Sequence, residues 1–231
     1  MKIIGRCLQP EQFKKYVDAK FFGFLPANKI ILHHTYRPNI NQWKGRDTIF
    51  SLKRFYESKN WTAGPHLYIA PDGIWLFSDM RKDGIHAGKG NWRSIGIEIV
   101  GDYQKKKPEG LILDYTLYAI TALNKKLKLD ADEIKFHRDY MPTICPGNAI
   151  TKSWIINKIK NYKIIPDFFI IKEKTKKAVF FVKNNIKYPI PDWSTFLFYW
   201  GNRQHNIISL NTLEINQIKT GNTLPSIKNL I

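Results

Sequence analysis

The chain has 231 residues, 43% of them hydrophobic and 14% aromatic, which suffices for one substantial packed domain and a small second one. No run of about 18 apolar residues occurs, which excludes a membrane-spanning helix, and two cysteines exclude a disulfide framework. The net charge of +18 attracts polyanions (nucleic acid, anionic lipid, anionic cell-wall polymer), but the lysines are spread along the whole chain, so charge alone selects no partner; a solubility device is the plainer alternative.

The opening stretch, MKIIGRCLQPEQFKKYVDAK, lacks an apolar segment followed by a small-residue cleavage site, so a protein made in the cytoplasm without a secretory signal is expected. EQFKKYVDAKFF (11–22) reads as a short amphipathic helix. KIILHHT (29–35) reads as a buried strand that delivers His33 and His34 at its end. RDTIFSLKRFYESKNW (46–61) has Ile49, Leu52, Phe55 and Tyr56 at helical spacing, with Asp47 as its expected N-cap. HLYIAPDGIWLFSD (66–79) is two apolar runs around Pro-Asp-Gly, a hairpin pattern.

SIGIEIVG (94–101) predicts a strand with Ser94, Gly96 and Glu98 on one face and Ile95, Ile97 and Ile99 on the other. LDYTLYAITALNKKLKL (113–129) is a helix with Leu117, Ile120, Leu123 and Leu127 on one stripe. EIKFHRDY (133–140) is a short strand, and AITKSWIINKIKNY (149–162) a closing helix. The alternation predicts an α/β domain over residues 1–163 with a central sheet.

After a break near KIIPDF, residues 168–231 predict a small α+β accessory domain. It contains a hairpin over 177–191 turning at Asn184 and Asn185, a helix over 192–202 capped by Asp192, and a helix over 210–218 with Asn211 and Glu214 as a capping pair. Phe180, Phe181, Tyr188, Trp193, Phe196, Phe198, Tyr199 and Trp200 make it aromatic-rich; they either fill a small core or, for Trp193, Tyr199 and Trp200, stack on sugar rings.

His137 and Cys145 stand eight positions apart, in a segment shaped by Pro142, Pro146 and Gly147. Imidazole nitrogen and thiolate sulfur are zinc ligands, and a catalytic site needs a third, which His33 or His34 can supply. Glu98 lies in an otherwise apolar strand, where an unpartnered carboxylate is costly. Beside the small Ser94 and Gly96 it suits a general acid or base next to a substrate; the plainer reading is an outward-facing edge-strand glutamate.

Four motifs in order, IILHHT, WTAGPHLYIAPDG, HAG…NWRSIGIEIVGDY and FHRDYMPTICPG, resemble the zinc-dependent N-acetylmuramoyl-L-alanine amidases of the type-2 amidase and peptidoglycan-recognition-protein superfamily, over about residues 25–162. The resemblance implies a central mixed β-sheet flanked by helices, and a Zn²⁺ held by His33, His137 and Cys145, with His34 as a neighbour. It implies Glu98 as the catalytic base, Thr143 steadying the oxyanion, and His66, His86 and Trp61 at the substrate cleft. Some relatives carry a catalytic tyrosine where this chain has Pro65; those generally lack the strand glutamate, so the proton-transfer role shifts to Glu98, with Tyr68 a weaker substitute. The implied activity is that of a peptidoglycan hydrolase, an endolysin cleaving the bond between N-acetylmuramic acid and L-alanine with a zinc-activated water after release to the cell wall. A recycling amidase would use the same chemistry.

The expected partners are bacterial peptidoglycan and an anionic wall polymer met by the basic surface, with no specific nucleic acid and a monomeric state. The competing readings are a protein that binds peptidoglycan without cleaving it, and a Cys/His cell-wall peptidase with Cys145 as nucleophile. A nucleic-acid binder rests on charge and aromatics alone.

Overall fold

Short apolar runs separated by amphipathic helices bury both faces of a sheet. In the computed structural model, which describes residues 1–162, 164, 168–183, 185–200, 207–224 and 226 (backbone only at 168, 169 and 198–200), the chain divides into two compact units, Met1–Ile164 and Ile165–Ile231.

The first unit contains β1 (Arg6–Leu8), α1 (Pro10–Ala19), β2 (Lys29–His34), α2 (Arg46–Ser58), β3 (Leu67–Ala70), β4 (Gly73–Leu76), β5 (Ser94–Ile99), α3 (Gly110–Leu127), β6 (Ile134–Phe136) and α4 (Lys152–Asn161). The sheet order is β1-β4-β3-β5-β2-β6, with β3, β5, β2 and β6 parallel and the β3–β4 hairpin and β1 antiparallel. This is the expected mixed α/β architecture.

Ile30, Leu32, Leu67, Ile69, Ile95, Ile97 and Ile99 line one face and pack on Phe13 and Val17 of α1, Leu117, Ile120 and Leu123 of α3, and Ile155 and Ile159 of α4. Each such fully buried aliphatic side chain contributes roughly 1.5–3 kcal/mol relative to exposure. The opposite face carries a smaller cluster, in which Tyr68, Ala70, Trp75, Phe77 and Val100 meet Ile49 and Tyr56 of α2.

Local chemistry moved several boundaries. Asp47 is not the N-cap of α2: Gly45, at φ 54°, holds that position, and Asp47 sits in the first turn, where its charge complements the helix dipole. The helix α4 starts at Lys152, because Thr151 accepts the Trp154 N–H at 3.3 Å. The strand β6 stops at Phe136, because the Asp139 carboxylate accepts the Phe136 N–H at 2.8 Å and turns His137–Asp139 into a 3-10 coil. The three-residue β1 was not expected; it exists through pairing with β4, which no local pattern announces.

The second unit contains β7 (Phe168–Glu173), β8 (Val179–Lys183), β9 (Ile186–Pro189), α5 (Trp193–Trp200), β10 (Ile207–Leu210), α6 (Thr212–Asn216) and β11 (Lys219–Thr220), with strand order β10-β7-β8-β9-β11. The β8–β9 hairpin turns through Asn185 at φ 57°; Asn184 lies outside the described residues. Asp192 accepts the Thr195 N–H at 2.8 Å, and Asn211 and Glu214 cap α6 reciprocally. Ile171, Val182, Ile215 and Ile218 form its core. The side chains of Phe198, Tyr199 and Trp200 lie outside the described residues, while Trp193 stacks on buried Phe196 at 4.5 Å.

Candidate metal centre

Parallel strands carry their C-terminal ends to one edge, so groups placed there converge. His33 and Glu98 are register partners near the ends of β2 and β5, and His137 follows β6 directly. Cys145 arrives on the loop after His137. Arg138 pins that loop by donating to the carbonyls of Ile144 and Gly147 at 3.1 Å and of Ile150 at 2.6 Å, while its own N–H meets the Cys145 carbonyl at 3.2 Å. Gly147, at φ 104°, allows the loop to pass against Tyr103; a Cβ there would collide with the Tyr103 carbonyl. The result is one potential ligand atom each from His33, His137 and Cys145, all within 4.8 Å of one another.

Strand alternation separates the two adjacent histidines. His34 accepts the Tyr103 N–H on Nδ1 at 3.1 Å, and its backbone N–H donates to the Cys145 sulfur at 3.3 Å, so it supports the cluster from beside it. His33 turns into the cluster, with Nε2 3.0 Å from His86 Nδ1 and Nδ1 3.9 Å from Glu98 Oε1. Burial first, then the neighbouring histidines, holds His33 well below the usual imidazole range, so the Glu98 contact is not an ion pair.

Two residues expected at the substrate cleft, His66 and His86, have their ring nitrogens engaged by the protein itself. His66 is fully buried; its Nδ1 accepts the Gly96 N–H and its Nε2 faces the Lys82 carbonyl, both at 2.9 Å, so neither nitrogen is left for a ligand. His86 borders the cleft, but its ring nitrogens face His33 and, at 3.2 Å, the Ser94 hydroxyl. The motifs that carry them suggested proximity to the cleft and said nothing about these partners, which come from β5, β2 and the segment between β4 and β5.

The cleft, about 560 Å³, is lined by His33, His137, Cys145, Glu98, Thr143 and Trp61 among others. Trp61, 37% exposed, stacks on Tyr56 with ring centres 5.3 Å apart. Half-buried Thr143 accepts the Cys145 N–H at 3.2 Å, which leaves its hydroxyl proton for another acceptor. Tyr68 is fully buried with its hydroxyl 2.7 Å from that of Tyr56, so it faces a neighbour in the core. A second cavity of about 700 Å³ shares His34, Tyr56 and Glu98 with the first and extends past Arg37 and Thr48.

Burial pushes the Glu98 carboxyl up to about 8, and its Oε2 has no hydrogen-bond partner among the described residues. Burial, then the Glu98 charge, drives the Cys145 thiol up, while His137 is lowered by burial. A nucleophilic cysteine needs the opposite shift, normally from a helix N-terminus or an imidazolium. The nearest following helix begins at Lys152, so that support is absent here. Neutral imidazoles, a buried thiol that a cation would ionise, and an unpartnered carboxylate oxygen fit a zinc ion.

The family model described as N-acetylmuramoyl-L-alanine amidase matches residues 23–148, a span that contains His33, Glu98, His137 and Cys145. The chain belongs to this amidase family. Among solved structures it resembles the N-acetylmuramoyl-L-alanine amidase LysC from Clostridium intestinale URNW, at 25% identity over 61% of this chain and 89% of that one, with a TM-score of 0.52. The fold also matches that of Apis mellifera PGRP-SA, at 23% identity over 59% of this chain and 83% of that one, with a TM-score of 0.50. A curated relative, peptidoglycan-recognition protein LB of Drosophila melanogaster, is 29% identical over 132 residues, 54% of this chain. The match spans only 56% of that relative's length. The proteins this chain resembles thus include one named as an amidase and others named for peptidoglycan recognition.

Proposed function

We propose that this chain is a zinc-dependent peptidoglycan amidase that cleaves the bond between N-acetylmuramic acid and L-alanine. The observation that carries the reading is the His33, His137 and Cys145 cluster within 4.8 Å, with the Glu98 carboxylate beside it at the cleft. Bound by those three residues, zinc would supply a Lewis acid that acidifies water and holds the charge of an oxyanion.

The chain's own residues account for the rest. Glu98, whose Oε1 lies 3.9 Å from His33 Nδ1 at the cleft, is placed to take a proton from the attacking water and return it to the departing amine. Thr143 has a proton to offer an oxyanion, because its oxygen already accepts from Cys145. The Trp61–Tyr56 stack forms an aromatic wall suited to the face of a sugar ring.

The +18 charge and the second unit favour a polymeric anionic substrate over a soluble fragment, which supports an endolysin acting on the bacterial wall. In that reading the second unit assists wall binding, with half-exposed Trp193 as its sugar-facing candidate.

Metal content measured beside peptidoglycan digestion tests the proposal. About one zinc per chain, loss of activity to a chelator, recovery on adding zinc and new N-terminal alanine are expected. Zinc without cleavage would leave a binding protein, and metal-free cleavage that dies on thiol alkylation would make Cys145 a nucleophile.

A further inference from the structure

We propose that Ser94, acting through His86, fixes the tautomer of His33 and so dictates that His33 binds metal through Nδ1; this deepens the zinc reading above and rests on it. The unusual feature is a buried imidazole–imidazole contact, His33 Nε2 to His86 Nδ1 at 3.0 Å, with both rings nearly inaccessible to water. Two neutral imidazoles can share one hydrogen bond only if one gives a proton and the other a lone pair. Which does which is decided further along the chain of contacts.

His86 Nε2 lies 3.2 Å from the Ser94 hydroxyl, and that hydroxyl lies 2.9 Å from the Asn91 carbonyl. A carbonyl only accepts, so the shorter contact takes the single proton of Ser94. The serine oxygen then accepts from His86, which places the His86 proton on Nε2 and leaves Nδ1 as a lone pair. His33 must donate from Nε2 to meet it, and the only lone pair left on His33 is Nδ1, the atom that faces Glu98. One hydroxyl proton thereby orders two rings.

The surroundings fix the rings in place as well as in protonation. Asn91 Oδ1 accepts the backbone N–H of His86 at 3.0 Å and of Ala87 at 2.7 Å, which anchors the loop that carries the ring. The His86 ring lies over Gly96, where a Cβ would fall 2.7 Å from it, and beside Gly84, where a Cβ would fall 2.9 Å from it. The face of β5 bearing Ser94, Gly96 and Glu98 therefore has a division of labour: a hydroxyl that sets the protons, a bare floor for the ring and a carboxylate at the cleft.

Metal-bound histidines usually give their second N–H to a carboxylate, a backbone carbonyl or water. A neutral imidazole in that place orients His33 without adding negative charge, so Cys145 remains the one anionic ligand of the set. Ser94 and His86 are positioning residues in this scheme.

Long-range ¹H–¹⁵N spectra of the metal-free protein read the tautomers directly. Protons on Nε2 of both His33 and His86 are expected, with Ser94→Ala shifting His86 toward a mixture of forms. Zinc affinity from chelator competition should fall about 10–100-fold in Ser94→Ala and in His86→Leu, and stay near wild type in Ser94→Thr, which keeps the hydroxyl. A proton on Nδ1 of either ring, or unchanged zinc affinity in a folded Ser94→Ala, overturns the relay. A wild-type chain that takes up no zinc overturns the zinc reading instead, and the tautomer spectrum still decides the relay.

Discussion

Turn the sheet of the first unit over and the same strands present two different materials. On one side Ile30, Leu32, Ile95, Ile97 and Ile99 press into three helices, hydrocarbon against hydrocarbon. On the other, Ser94, Gly96, Glu98 and His33 meet histidines, a thiol and a cleft. Positions one residue apart on β5 alternate between the two. The apolar side works by total volume, so neighbours share the cost of a change. The polar side works by single atoms in specific contacts and has no such reserve.

The difference can be broken first at the ligands. Cys145→Ser should lose stoichiometric zinc and reduce hydrolysis to background, read by elemental analysis and digestion assays; a zinc-loaded variant of wild-type activity would sink the ligand set. Next comes Glu98→Gln, expected to keep its zinc while kcat falls on the order of 10²–10⁴. Its amide keeps the shape but cannot hold the proton, so equal activity would remove Glu98 from the reaction.

A cut on the apolar side should do the reverse. Ile120→Ala, at a fully buried position in α3, is expected to cost about 2–5 kcal/mol in denaturant unfolding while zinc stoichiometry stays near one. Metal loss in the folded variant would mean that the two sides are coupled.

The smallest effect belongs to the surface. Burial raises the Asp79 carboxyl, but hydrogen bonds from Arg81 and Lys20 outweigh it and hold the pKa below the ordinary value of 3.8. A depressed folded-state pKa means that the stabilisation is present above the unfolded value and lost as pH falls through the folded one. Wild type should exceed Asp79→Asn by about 0.2–1 kcal/mol at neutral pH, and the gap should close in strong acid. A gap that widens on acidification would reverse the sign of the argument.

The sequence made one side of this sheet easier to read than the other. Alternation in SIGIEIVG separates Ile95, Ile97 and Ile99 from Ser94, Gly96 and Glu98, because a strand's side chains repeat every second residue. The strand-end position of His33 was legible for the same reason. The tasks of His66 and His86 were not, since their partners at Gly96, Lys82, His33 and Ser94 come from elsewhere in the chain and leave no local period. The role of Arg138 was not legible either, because its hold on three carbonyls exists only once the loop has folded back. The strand β1 went unread because its stability is borrowed from β4.

The Arg138 fork acts on the loop that carries Cys145. Rigid, planar and permanently charged, the guanidinium bundles the carbonyls of Ile144, Gly147 and Ile150 without help from any ion. Cys145 is therefore held near His33 and His137 by the polypeptide itself. On the proposed zinc reading, the same hydrogen bonds fix the thiol that would hold the cation.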